Sequence, residues 1–198
     1  MAKKPVRISS PAADGEDGII ESVRLQLKKP GPRVPLGIGD DTAVIIPPPK
    51  GAMLLFTTDM MVEGTHFRLE WASPWQIGWK AVAAAVSDIG AMGGKPVAAV
   101  AAVGLKGNEK TYIVNELAKG MNAVAEKYGF DIVGGDTVLS QNGIVICISV
   151  TGEALSTSIA QRKGARPGDL ILVAGDTGAS AAGLEVLRKK GKSGLTQA

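Results

Sequence analysis

The spacing of apolar and polar positions changes several times along the chain, and each change marks an element. Ile19, Ile20, Val23 and Leu27 share one helical stripe, which predicts a helix over Glu16–Lys29. Pro30-Gly31-Pro32 ends it. Thr42–Ile46 and Ala52–Thr58 read as strands, parted by the turn Pro47-Pro48-Pro49-Lys50-Gly51, and Asp59–Trp71 reads as loop. Ser73-Pro74-Trp75-Gln76 has the form of a helix start. Serine caps, proline fits the first turn, and glutamine completes a capping box. This alanine-rich helix stops at Gly93-Gly94, and Pro96–Leu105 follows as a strand. Asn108 is expected to cap a second long helix, Glu109–Tyr128, with Ile113, Leu117, Met121 and Val124 on one face. Phe130–Val133 and Gly143–Glu153 are strands around a Gly-Gly-Asp-Thr corner.

After Arg162 the pattern changes. A turn rich in glycine, proline and charge leads to a fresh strand over Asp169–Gly175, then to a helix over Thr177–Lys190. One strand and one helix bury too little to form a core, so a second domain that is incomplete here is expected. The order of elements predicts an α+β fold, a largely antiparallel sheet covered by two long helices, followed by a truncated second α/β domain. The expected organisation is a leader over residues 1–15, a main domain over 16–155, a linker over 156–168 and the start of the second domain over 169–198.

Composition narrows the functional classes. Aromatics are 4% of 198 residues, so aliphatic side chains must fill the core. The net charge is +3, and the basic clusters at Lys3–Arg7, Arg24–Arg33 and Arg188–Lys192 lack interleaved aromatics. They read as solvated helix faces and tails rather than a nucleic-acid surface. The single cysteine, Cys147, excludes a disulfide framework within the chain and is expected to be a buried small hydrophobe. No apolar run is long enough to span a bilayer, and the N-terminus lacks the apolar core of a secretory signal. A cytoplasmic setting with no membrane or nucleic-acid partner is expected.

The chemistry lies in repeated acidic corners: GIGDD (Gly37 to Asp41), TTD (Thr57 to Asp59), SDIGAMGG (Ser87 to Gly94) and GGDT (Gly134 to Thr137). Each taken alone has an ordinary reading as a turn or a polar strand end. Together they offer several carboxylates and hydroxyls on neighbouring loops. Mg²⁺ takes such hard oxygen ligands and usually shares them with substrate phosphates. Asp88 is a poor mid-helix residue on an otherwise apolar stretch and should have a partner. Lys80 is too far along the helix to serve. The paired glycines before Asp136 would let backbone N–H groups approach a phosphate. His66, the only histidine, lies seven residues after Asp59 on the loop that would overhang the cage. The tail Gly191-Lys192-Ser193 fails the P-loop spacing, because Val186 stands where glycine is required.

These motifs, with QRKGARPGD and GASAAGL in the same order, resemble the thiamine-monophosphate kinases. That group belongs to the superfamily of aminoimidazole-ribonucleotide synthetase, selenophosphate synthetase and a hydrogenase-maturation dehydratase. The VEG-x-HF sequence after the TTD corner points to the thiamine kinase branch. The resemblance implies ATP-dependent phosphorylation of thiamine monophosphate to thiamine diphosphate. It implies Mg²⁺ held by Asp41, Thr57, Thr58, Asp59, Asp88 and Asp136, with Asp40 beside them. Gly135, Asp136 and Arg162 would contact ATP, His66 would contact thiamine monophosphate, and no side chain is assigned as general base. It also implies a homodimer whose N-terminal sheets pair across the two-fold axis. The family's second acidic motif, roughly SD-x-SDGL, has no counterpart here. Two other readings stay open: a related enzyme acting on another phosphate or a carbamoyl group, and a non-catalytic Mg-ATP-binding module.

Overall fold

A computed structural model describes residues 11–36, 38 and 45–192 of the chain, and the side chains of residues 11–17 are not considered. Two compact units divide at Ala160/Gln161. The first contains a four-stranded sheet and three helices. These are α1 (Pro11–Arg24), β1 (Ala52–Val62), α2 (Pro74–Ala91), β2 (Lys95–Leu105), α3 (Thr111–Tyr128), β3 (Asp131–Leu139) and β4 (Val145–Leu155). The strand order is β1-β4-β2-β3. β4 runs antiparallel to both of its neighbours, while β2 and β3 are parallel and joined through α3. The fold is α+β.

The helices cover one face of the sheet, and on the other Val34 covers only the end near Ala98 and Val133. Along β4, Ile146, Ile148, Val150, Gly152 and Ala154 are buried, and the residues between them are half-buried. The buried set packs against Val82, Ala85 and Ile89 of α2, and Leu117, Val124 and Ala125 of α3 extend the same core. The strand alternation of period two therefore decides which residues meet the helices. The opposite face carries Phe56 and Met60, 70% and 56% exposed.

The two covering helices touch backbone to backbone. A side chain added at Gly78 of α2 would lie 2.0 Å from the carbonyl oxygen of Leu117. One added at Gly120 of α3 would lie 1.9 Å from that of Trp75. Such overlap can be relieved only by moving a helix. α2 starts at the Ser73 capping box, with reciprocal Ser73 and Gln76 bonds and proline in the first turn.

Several element ends depart from the sequence pattern. α1 begins at Pro11, within the stretch read as leader, and ends at Arg24 rather than Lys29. The N–H of Lys28 leaves the helical ladder and donates to Asn122 Oδ1, while Gly31 N–H donates to Asp131 Oδ2. The expected strand over 42–46 lies outside the described residues except for Ile45 and Ile46, which are not in a strand. β1 continues to Val62 because its pairing with β4 runs on from Asp59↔Ile148 to Val62↔Val145, so Asp59 is strand rather than loop. α3 has Lys110 as its N-cap without a side-chain cap, in place of Asn108. Glu109 instead accepts the N–H groups of Lys106 and Gly107 in the preceding turn. Cys147 is half-buried on the uncovered face, not in the core.

The second unit contains α4 (Ala179–Lys190), which has no buried residue. Leu170–Val173 forms no strand, and Leu172 is 89% exposed. A strand needs a neighbour to bond its N–H and C=O groups, and these residues have none among those described. No described helix is long and apolar enough to cross a membrane.

Gly120→Ala should destabilise the first unit by about 2 kcal/mol or more, the scale of overpacking a tight core. Urea denaturation followed by circular dichroism measures this. Stability equal to that of the unaltered chain would show that the α2–α3 contact can loosen at no cost.

Candidate functional site

β1 is an edge strand, and its alternation separates its polar residues. Thr57 and Asp59 stand opposite Val150 and Ile148, which are buried beneath the helices, so they face α2. Thr58 stands opposite Ser149 on the uncovered face. There its hydroxyl accepts from Ser149 Oγ at 3.0 Å and lies 3.4 Å from Cys147 Sγ.

The partner that Asp88 requires is Thr57. The Thr57 hydroxyl donates to Asp88 Oδ2 at 2.8 Å, joining the TTD corner to the SDIG corner between β1 and α2. Asp59 follows two residues along on the same side of the strand. Three hard oxygen donors thus share one exposed sheet edge. The chemistry of this set fits a Mg²⁺ ion, which prefers carboxylate oxygen and retains sites for phosphate and water. The set is incomplete by itself: no three His, Cys, Asp or Glu side chains come together among the described residues.

Asp136 is not at this corner. It lies on β3, the opposite edge strand, with β4 and β2 in between. At ordinary strand spacing that separation is about 14 Å. Its row across the sheet runs Met60–Cys147–Ala102–Asp136, which places it on the uncovered face with Met60. Gly135 has a structural reason of its own. A Cβ there would lie 1.9 Å from the Ala101 carbonyl oxygen, so β2 and β3 can pair only with glycine at this position. Arg162 is exposed and belongs to the second unit. Asp40 and Asp41 lie outside the described residues.

His66 sits in the tight loop that follows β1. The N–H of His66 donates to the Val62 carbonyl, and the N–H of Val62 donates to His66 Nδ1 at 3.1 Å. Nδ1 must therefore carry the lone pair, and in the neutral ring Nε2 carries the proton. The imidazole can donate from Nε2 but has no free lone pair to act as a base. Phe67 is buried, and Glu63 accepts the N–H of Ile144, so both sides of the loop are anchored.

One contact was not anticipated from the sequence. Lys80 Nζ donates to the His66 carbonyl at 2.8 Å. A signal for it existed: Lys80, Ala84, Ser87 and Asp88 repeat at helical spacing, so Lys80 and Asp88 share one stripe of α2. Two turns and a little more separate them, roughly 12 Å at the α-helical rise. The acidic corner and the His66 loop are thus tied to the same helix, about two turns apart.

Residues 39–154 match the family model of the AIR synthase related proteins, N-terminal domain. The chain belongs to this family. It is 38% identical to the thiamine-monophosphate kinase of Bacillus subtilis over 154 residues, which cover 78% of this chain and 47% of the relative. It is 36% identical to the thiamine-monophosphate kinase of Corynebacterium glutamicum over 184 residues, 92% of this chain and 54% of the relative. Among solved structures, AaThiL complexed with AMPPCP and TMP superposes with a TM-score of 0.67 at 32% identity, covering 98% of this chain and 60% of that one. The AIR synthase related chain described here therefore spans about half the length of the curated relatives it matches.

Gly135→Ala should lower the stability of the first unit with no nucleotide present, because the clash with Ala101 is internal to the sheet. Thermal unfolding monitored by circular dichroism without ligand is the check. An unchanged midpoint, with loss of nucleotide binding alone, would make Gly135 a phosphate contact and nothing more.

Proposed function

We propose that the chain carries the acidic half of a thiamine-monophosphate kinase. A terminal phosphate oxygen of thiamine monophosphate attacks the γ-phosphorus of ATP. The bond from that phosphorus to the β,γ-bridging oxygen breaks, ADP leaves with the electron pair, and thiamine diphosphate results. The observation that carries this reading is the Thr57–Asp88 contact beside Asp59, on the helix that also holds the His66 loop. The match to curated thiamine-monophosphate kinases over most of this chain supports the choice of acceptor.

Asp59, Asp88 and Thr57 would hold a Mg²⁺ ion, which would supply positive charge where two phosphates meet. Asp41, Thr58 and Asp136 are proposed as further ligands, and Gly135, Asp136 and Arg162 as the ATP contacts. The acceptor's phosphate belongs at the acidic end. Its heterocyclic end reaches the Nε2–H of His66, which donates to a ring nitrogen. The acceptor oxygen is already anionic at neutral pH, so no residue need remove a proton from it.

Asp136 requires a second copy. Consider two of these sheets meeting through their uncovered faces about a two-fold axis parallel to the strands. That axis reverses the strand order, so β3 of one protomer lies over β1 of its partner. Exposed Phe56, Met60 and Val138 would then be covered, as an apolar sheet face requires. Each site would then bring the other protomer's GGDT corner to the β1 edge, with Asp59 and Asp88 on the α2 side of that strand. The assembly is a cytoplasmic homodimer with no nucleic-acid or membrane partner.

Thiamine diphosphate should form from thiamine monophosphate, ATP and Mg²⁺ in a chromatographic assay, and EDTA should abolish it. Asp59→Asn should lower turnover at least ~100-fold, the scale of losing an electrostatic stabiliser. His66→Ala should mainly raise KM for thiamine monophosphate. A near-normal rate for the first variant, or an unchanged KM for the second, removes that residue from the site. Mixing inactive Asp59→Asn and Asp136→Asn chains should restore about a quarter of the activity, since half the dimers are mixed and one site in each is intact. No recovery on mixing would place both aspartates in one protomer's site.

A further inference from the structure

We propose that Lys80 is the positioning residue of the acceptor site, clamping the His66 loop to the helix that carries Asp88. This rests on the kinase reading and adds to it a residue that touches neither ATP nor the ion. The loop from Glu63 to Phe67 is held by its own backbone bonds and by buried Phe67. The His66 carbonyl is the point where α2 reaches it, through the Lys80 ammonium at 2.8 Å.

Charge makes that bond more than incidental. Lys80 forms no ion pair among the described residues, whereas neighbouring Arg68 is paired with Glu70 and lies over the Trp71 ring. An ammonium with no carboxylate partner on an exposed helix face gains most from bulk water. Here it holds one geometry against a carbonyl fourteen residues earlier in the chain. A hydrogen bond from a charged donor is about twice as strong as a neutral one. It orients the peptide of the residue whose imidazole nitrogen accepts from Val62.

The consequence is directional. With the clamp in place, the ring stays in the Nε2–H tautomer, and its donor is left free for the acceptor. Without the clamp the His66 peptide loses its tie to α2, though the loop keeps its own backbone bonds. The Val62 bond to Nδ1 is then intermittent, and both tautomers are populated. The distance from the acidic corner to the donor, set by the α2 stripe, would no longer be fixed.

The single histidine makes this measurable without turnover. In the ¹⁵N-labelled chain the imidazole nitrogens report the tautomer directly. In its neutral form the ring of the unaltered chain should show one protonated and one unprotonated nitrogen. Lys80→Met should move the two signals toward each other and weaken thiamine monophosphate binding, followed on the same ring signals, about tenfold, the scale of one charged hydrogen bond. Lys80→Arg, which can still donate to the carbonyl, should restore both. ATP affinity should be unchanged in all three proteins. Ring signals and acceptor affinity that are the same in all three overturn the proposal. A ring change in Lys80→Met with no response to thiamine monophosphate in any protein establishes the clamp and refutes the acceptor assigned to His66.

Discussion

The backbone contact between α2 and α3 is the constraint on which the rest of the first unit depends. Gly78 and Gly120 let the two helices meet with no side chain between them. That fixes the height of α2 over the sheet to within a fraction of an ångström, since packed interiors deform little. α2 carries Asp88 toward β1 and Lys80 toward the loop beyond it. Both contacts are therefore set by one helix, which is itself located by two absent side chains. The Ser73 capping box fixes where the helix begins and so which stripe of it faces the β1 edge.

The edge strand β1 divides its work between two faces. Thr57, Asp59 and Met61 turn toward α2, while Phe56, Thr58 and Met60 turn away. A slip of one residue in the pairing with β4 would exchange the two sets completely. The register Thr57↔Val150 thus decides that the carboxylate of Asp59 reaches the Asp88 side. The same register leaves a broad apolar surface on the other side, interrupted by the Thr58, Cys147 and Ser149 polar group. In the proposed dimer, chemistry and association would be coupled through the pleat of a single strand.

Much of this was legible in the sequence because it depends on local rules. The α2 start follows from four residues, Ser73 to Gln76, and the covered face of β4 follows from strict alternation. The need of Asp88 for a partner followed from its place in an apolar helix. What could not be read locally depends on contacts distant in sequence. The end of α1 is moved by Asn122 and Asp131, about a hundred positions away. The true length of β1 is imposed by β4. Gly135 was readable as a phosphate-cradling glycine, but the Ala101 carbonyl that forbids a side chain there is visible only once β2 and β3 are paired. The four acidic corners suggested one cluster. The strand order β1-β4-β2-β3 instead places Asp136 on the far edge from Asp59. Lys80 was dismissed as a partner for Asp88, and rightly, since its partner is a backbone carbonyl that no side-chain pattern announces.

The hydrogen bonding of His66 bears on what kind of catalyst this geometry permits. A histidine near a phosphoryl acceptor invites the role of general base, but its Nδ1 is already occupied by the Val62 N–H. The ring has a donor to offer and no lone pair to spare. A reaction that needed proton abstraction from an alcohol would be poorly served here. A reaction whose acceptor is a phosphate monoester carries its nucleophilic oxygen already ionised, and needs repulsion between anions relieved instead. Under the proposed function the acidic corner would answer that need by holding cations, and the imidazole would answer a different one by recognising the acceptor's uncharged end. That His66 offers a donor and not a base suits the chemistry of the proposed acceptor, and the tautomer enforced by Val62 is the part of the structure that expresses it.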